Sequence, residues 1–321
     1  MRNMLHQELF FVILCNWRHL RYAMAGYTLK SRLASVWRVA RTVFFLKRCT
    51  EFVRLPVVAH YVARAARHDL FYHLTHRHYL ATFLTLNERA ELALFHMRVE
   101  DRCFDDSYKH AVYLNGGLQL WERVVDGMRF HIRLRMASRV AQEGDLEVVF
   151  SVDRQLLHSF RFTWLDGAAV DMPGTVIPWV TCCQGRTRSR TDATDKFNTA
   201  FPNNWPKLFC MAALRGLASA NGSEVLIGIS GHAHAHLVVE RAEQFFRTYD
   251  QFWQSLHGEQ TSRFGYLMPS RLDVKDLSTV PAKHRKRAEQ RRQHWMQIEE
   301  VAAAVLRRYL IVTTPSGELM V

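Results

Sequence analysis

Acidic residues are missing where basic ones crowd. From Thr28 to Arg48 there is no Asp or Glu. Residues 1–79 hold thirteen Lys and Arg against three acids, so ten of the chain's net +13 fall in its first quarter. Paired cysteine motifs are also missing. Cys15, Cys49, Cys103, Cys182, Cys183 and Cys210 include no C-x-x-C, which argues against a disulfide framework or a zinc knuckle and for free thiols. No apolar run is long. Leu9–Cys15 falls well short of the roughly 20 residues that a membrane span needs. Arg18, His19 and Arg21 follow that run instead of preceding it, the reverse of a secretory signal. A cytoplasmic location is therefore expected. G-x-S-x-G, P-loop, H-E-x-x-H and dinucleotide fingerprints are absent, so serine hydrolase, P-loop NTPase and zincin readings have no motif behind them.

What remains is an ordinary globular composition over 321 residues, 48% apolar and 23% charged. The basic surplus favours anionic lipid, phosphate-bearing ligands or nucleic acid. Leu29, Leu33, Val36, Trp37, Ala40 and Phe44 recur at helical spacing, and Lys30, Arg38, Arg41 and Arg48 lie to one side. The plainer expectation docks this stripe on the core and solvates the basic face. The alternative lays the helix on an anionic membrane surface.

Thr85 and Glu88 have capping-box spacing. From Leu118 to Trp164 the period changes to two, and Asp126-Gly127 suits a tight type I′ hairpin. An antiparallel meander is expected there, with His131, Arg133 and Arg135 on an outer face. Val176–Cys183 reads as a strand, bulged or at an edge because of Pro178. A basic loop follows. Pro206 opens an all-round apolar helix to Ala220, and Asn221-Gly222 closes it. Glu224–Ser230, with Val225, Leu226, Ile227 and Ile229 in an apolar run, reads as a central strand and Leu237–Trp253 as a helix. Residues 255–281 read as a linker to a long helix, basic at its start. The fold class is α+β: a basic helical region over residues 1–84, then a mixed-sheet domain over 85–321.

Several segments resemble one bacterial family. Trp205-Pro206-Lys207-Leu208 with Ala213-Leu214 and Leu217-Ala218 is similar to its P-K-x-L…A-L-x-x-L-A helix. Ile227-Gly228-Ile229-Ser230 resembles its G-[IV]-S strand, and Tyr249-Asp250-Gln251-Phe252-Trp253 its Y-D-x-F-W stretch. Pro281, Lys283, Arg285 and Arg291-Arg292 resemble its late P-x-K…R-R-R segment, and Gln184-Gly185 its Q-G. Together these resemble the VirK/YbjX family. The resemblance implies a role in bacterial virulence or in tolerance of envelope-damaging peptides. It carries no catalytic residue over.

Three candidate sites follow from chemistry. The order meander, strand, basic loop, buried helix, strand, helix is similar to the acyl-CoA-dependent N-acetyltransferase fold. On that reading Gln184, Gly185, Arg186, Arg188, Arg190 and Gly228 hold the phosphates of acetyl-CoA or another acyl-CoA. Tyr249 then serves as general acid for the leaving thiolate. Next, His232, His234 and His236 alternate after the central strand, so three imidazoles could converge on a metal ion; the plainer reading is a polar turn. Last, residues 28–48 and 283–292 suit an adaptor binding anionic inner-membrane lipid or RNA. The His131/Arg133/Arg135 face lacks the aromatic interleaving of a nucleic-acid stacking platform, so nucleic acid is the less favoured partner.

Overall fold

The computed structural model describes residues 2–26, 28–66, 69–76, 78–138, 143–185, 192–271, 278 and 280–311. The first quarter is helical: α1 (Arg2–Gly26), α2 (Leu29–Phe44), α3 (Leu46–Arg54), α4 (Ala63–Ala66) and α5 (Tyr72–Thr75). Next, α6 (Leu86–Cys103) starts on the expected capping box, with Thr85 and Glu88 bonding each other's backbone N–H. A short α7 (Asp106–Lys109) leads into the sheet.

The meander is β1 (Leu118–Val125), β2 (Met128–Met136), β3 (Leu146–Val152) and β4 (Gln155–Asp166). At the first hairpin Asp126 and Gly127 have φ of +49° and +76°, as a type I′ turn requires. After β5 (Val176–Gly185) come α8 (Asp192–Ala200), α9 (Pro206–Ala220), β6 (Val225–Gly228), α10 (Ala242–Thr248), α11 (Asp250–Ser255), β7 (Glu259–Ser262), β8 (Gly265–Pro269) and α12 (Ala282–Arg307). Among the described residues the strands form one sheet, ordered β1-β2-β3-β4-β5-β6-β8-β7. Only β5 and β6 run parallel, and they pair over two positions, Trp179 with Ile227 and Val180 with Gly228.

Three expectations need correction. β5 is interior, not an edge, and the alternative, a bulge, is present where Thr181 has no register partner on β4. Pro178 is tolerated because it stands one residue before the two paired positions, where β6 needs nothing from its nitrogen. The expected helix over Leu237–Trp253 is broken into a 3₁₀ turn, α10 and α11. The expected linker over 255–281 contains the β7–β8 hairpin, which completes the sheet.

The core lies on both faces of the sheet. Phe160 stacks on Phe252 and meets Trp253, whereas the Trp164 indole donates to Glu100 of α6 at 2.7 Å. β3 is buried at every residue and β4 from Leu157 to Leu165, as strands covered on both faces are. Residues before position 85 bond to later segments: the Tyr72 and Tyr79 hydroxyls both donate to the Asp145 carboxylate, and the Thr82 N–H donates to the Ala233 carbonyl at 2.9 Å.

Candidate functional site

The loop after β6 sends His232 away from His234 and His236. His232 is exposed and lines an open cleft with Phe246 and Asp250. His236 lines another with Arg38 and His76. His234 is buried between them. The three do not converge, because the 3₁₀ turn Gly231–Ala233 breaks the extended backbone that alternation requires.

His234 instead meets groups from distant segments. Its Nε2 lies 3.5 Å from Glu143 Oε1 and 2.9 Å from the Tyr249 hydroxyl. The His236 Nε2 lies 3.9 Å from the same Glu143 oxygen. Glu143, Cys182 and His234 bring one ligand-type atom each to within 4.8 Å of one another. This trio does not suit a metal as it stands. The His236 backbone N–H donates to His234 Nδ1 at 3.1 Å, so that nitrogen holds a lone pair and Nε2 carries the ring proton. A metal on Nε2 would have to displace this proton, and Glu143 is already bonded by Arg161. Burial pushes the His234 pKa down to about 3, with His236 and Arg161 adding to it. The ring is therefore neutral, and its N–H points at Tyr249.

Tyr249 is held rather than poised. Its hydroxyl also accepts the Cys183 N–H at 3.2 Å, satisfying a backbone donor of β5 beyond the parallel pair. Burial, followed by the neighbouring thiols, raises its pKa well above the ordinary value. The next residue, Asp250, accepts the Gly231 N–H at 2.8 Å and the Tyr266 hydroxyl at 3.1 Å. The Trp253 indole donates to the Ile229 carbonyl at 2.8 Å. The Tyr249–Trp253 stretch is thus a clamp on the loop after β6.

Cys183 lies 3.4 Å from His158 Nε2, which suggests a nucleophile and its base. The electrostatics run the other way. Burial pushes the Cys183 thiol up to about 12 and the His158 imidazole down to about 3, so a neutral pair is favoured over thiolate and imidazolium.

The proposed phosphate cradle divides. Arg186, Arg188 and Arg190 lie outside the described residues. Gln184 and Gly185 are exposed at the end of β5, where Gln184 Oε1 accepts from Arg161 at 3.3 Å. Gly228 has a different partner from the one expected. A Cβ there would stand 2.5 Å from the Trp253 indole, so the close approach serves packing. Gly228→Ala is expected to destabilise by about 1–3 kcal/mol through overpacking, read as a lower urea midpoint. An unchanged midpoint would sink this account. Neither of the two clefts above is lined by Tyr249, Gln184 or Gly228.

The basic surfaces also differ from expectation. On β2, Arg135 is neutralised by Glu147 at 2.9 Å. The α2 stripe, expected on the core, faces outward. Leu29 is 72% exposed, Trp37 68% and Phe44 83%, with Leu33, Val36 and Val43 also exposed. The buried residues of α2 are Ser35 and Thr42. They face α1, whose Asn16 side chain donates to Thr42 Oγ1 at 2.8 Å. α1 likewise exposes Phe10, Ile13 and Trp17. Their three- and four-residue spacing was readable in the sequence. For Glu143 no sequence signal existed, since only folding brings it to His234.

Among the described residues no helix is long and apolar enough to cross a membrane. No curated protein and no solved structure matches the chain. A family model described as "Protein of unknown function (DUF535)", which is the VirK/YbjX family, matches residues 30–305. With most of its length matched, the chain belongs to the VirK/YbjX family.

Proposed function

We propose that this protein acts at the bacterial inner membrane as a peripheral protein, lying on anionic lipid through α1 and α2. The observation that carries the reading is the outward apolar face of α2. Six large apolar side chains on one helix face water, more than scattered surface residues account for. Lys30, Arg38 and Lys47 accompany them without an acid, and Arg21 lies 5.4 Å over the Trp17 ring. Apolar and aromatic residues with basic neighbours and no acid suit the boundary between headgroups and acyl chains. Burying such side chains yields about 1.5–3 kcal/mol each, and anionic headgroups add attraction at each cation. A place on the envelope also fits the family's link with tolerance of envelope-damaging peptides, and virulence as its wider setting.

Vesicle co-sedimentation tests it. Binding to vesicles containing phosphatidylglycerol should weaken with salt and be nearly absent on pure phosphatidylcholine. Trp37→Glu/Phe44→Glu, changed at exposed positions, should lower partitioning more than tenfold with an unchanged melting temperature. Equal binding by variant and parent would refute the reading. So would a lipid-free dimer that the variant abolishes, because the face would then belong to a second copy.

A second reading, acyl-CoA-dependent transfer, has one observation in its favour. Among the described residues β5, α9, β6 and α11 follow in that order and β5 pairs parallel with β6, which supports the reading at the level of element order. Against it, the Tyr249 hydroxyl is occupied by the clamp bonds described above.

A further inference from the structure

Where α9 begins, four helices leave an open cleft of about 400 Å³. Lys207 comes from the first turn of α9, Arg247 and Gln251 from α10 and α11, and Arg291 from α12. Each lies in, or within two residues of, a segment that carries the family resemblance. Among the described residues no acid lines the cleft.

Two of its cations lack the usual compensation. Among the described residues neither Lys207 nor Arg291 has a carboxylate partner, while Arg247, at the rim, shares Glu243. Lys207 is half-buried, its ammonium 3.8 Å over the Phe252 ring. Burial lowers its pKa. The Arg291 Nε is buried without a hydrogen-bond partner. Half-buried charge without a counter-ion is costly, and an anion at this place would relieve it. The start of α9 adds the positive end of a helix with no side-chain cap. Beside these charges Trp205 is 62% exposed, an aromatic ring at the mouth of the cleft with the Lys207 ammonium 5.7 Å from its centroid. Such a ring stacks planar bases.

We propose that this cleft binds a nucleotide-type organic phosphate, its phosphates on Lys207 and Arg291 and its base on Trp205. The volume suits a small-molecule ligand. The site is separate from the α1–α2 face and does not depend on membrane binding.

Calorimetric titration of the full chain, without lipid and at fixed ionic strength, tests it with ADP, pyrophosphate and adenosine. ADP should bind saturably and at least tenfold more tightly than pyrophosphate or adenosine. Lys207→Met, which keeps the packing on Phe252, should weaken ADP and pyrophosphate at least tenfold, and so should Arg291→Ala. Trp205→Ala, an exposed change, should weaken ADP and leave pyrophosphate unchanged. Trp37→Glu/Phe44→Glu should bind ADP as the parent does. The proposal is overturned by the absence of saturable ADP binding or by unchanged affinity in Lys207→Met and Arg291→Ala. It is equally overturned if Trp205→Ala leaves ADP affinity intact. Unfolding is monitored by circular dichroism, and Arg291→Ala, on a partly exposed helix face, serves as the variant that keeps the fold.

Discussion

Glu100→Gln is expected to stabilise the protein above neutral pH. Glu100 is fully buried on α6. Its carboxyl accepts the Trp164 indole N–H at 2.7 Å and the hydroxyls of Tyr113 and Tyr108 at 2.8 and 3.2 Å. Even so, burial outweighs these three donors and pushes its pKa up to about 7. The folded value thus exceeds that of the unfolded chain, near 4.5. A raised carboxylate contributes full stability below the unfolded value and loses it as pH rises through the folded one. Between pH 4.5 and pH 7 and above, the loss amounts to roughly 3 kcal/mol. Glutamine keeps an acceptor oxygen and cannot ionise. At pH 8 the variant should melt about 5 °C higher than the parent, whereas near pH 5 the two should nearly coincide. Neutral His158 and His234 have the opposite slope: their folded values of about 3 contribute stability above pH 6.5 that is lost on acidification. They do so equally in both proteins, so the difference curve isolates Glu100. Parallel melting curves at every pH would contradict the assignment.

Gly216→Ala should destabilise strongly, although the same change in most helix interiors is worth up to about 1 kcal/mol of stability. Gly216 is buried in the middle of α9, against α12. A methyl group there would overlap the Glu299 carbonyl oxygen and come within 3.0 Å of the Ala302 Cβ and the Ala303 nitrogen. Two of the three obstacles are backbone atoms, so no side chain can swing away. Relief requires α12 to move off α9, uncovering Ala302 and Leu306, both fully buried. A cost of about 2–3 kcal/mol follows from overpacking, seen as a lower urea midpoint. A variant as stable as the parent would show that the two helices are not held this closely.

Much of the sheet was legible because its signals are local. Asp126-Gly127 needs two positive φ values, and Pro206 has no N–H to lose at a helix start; both act over one or two residues. The capping box at Thr85 and Glu88 is of the same kind. What was hidden depends on partners far along the chain. The stripe on α2 marks a two-faced helix, but spacing cannot say which face turns inward. Asn16 of α1 settled that by bonding Thr42. The β7–β8 hairpin was read as linker because Gly265, at φ +125°, makes sense only against the Gly228 carbonyl that it approaches. The helix over Leu237–Trp253 broke because Tyr249 and Asp250 turn their side chains onto the loop after β6. Of the candidate site residues, His234 and Tyr249 came together and His232 did not. Their meeting point, Glu143, lies about ninety residues earlier in the chain.

The two-position contact between β5 and β6 divides the sheet's cooperativity. On one side stand five antiparallel strands, and on the other the three of β6, β8 and β7. Across the junction the backbone shares little beyond those positions and the Ile229 N–H bond to the Val180 carbonyl, 2.8 Å. Continuity there rests on side chains: Trp179 donates its indole N–H to the Phe264 carbonyl at 3.0 Å, and Tyr249 reaches Cys183. A boundary bridged by so few backbone bonds is where partial opening is least costly. The smaller wing, with the loop and clamp it carries, can therefore exchange its amide protons as a unit of its own while the five-stranded wing stays closed.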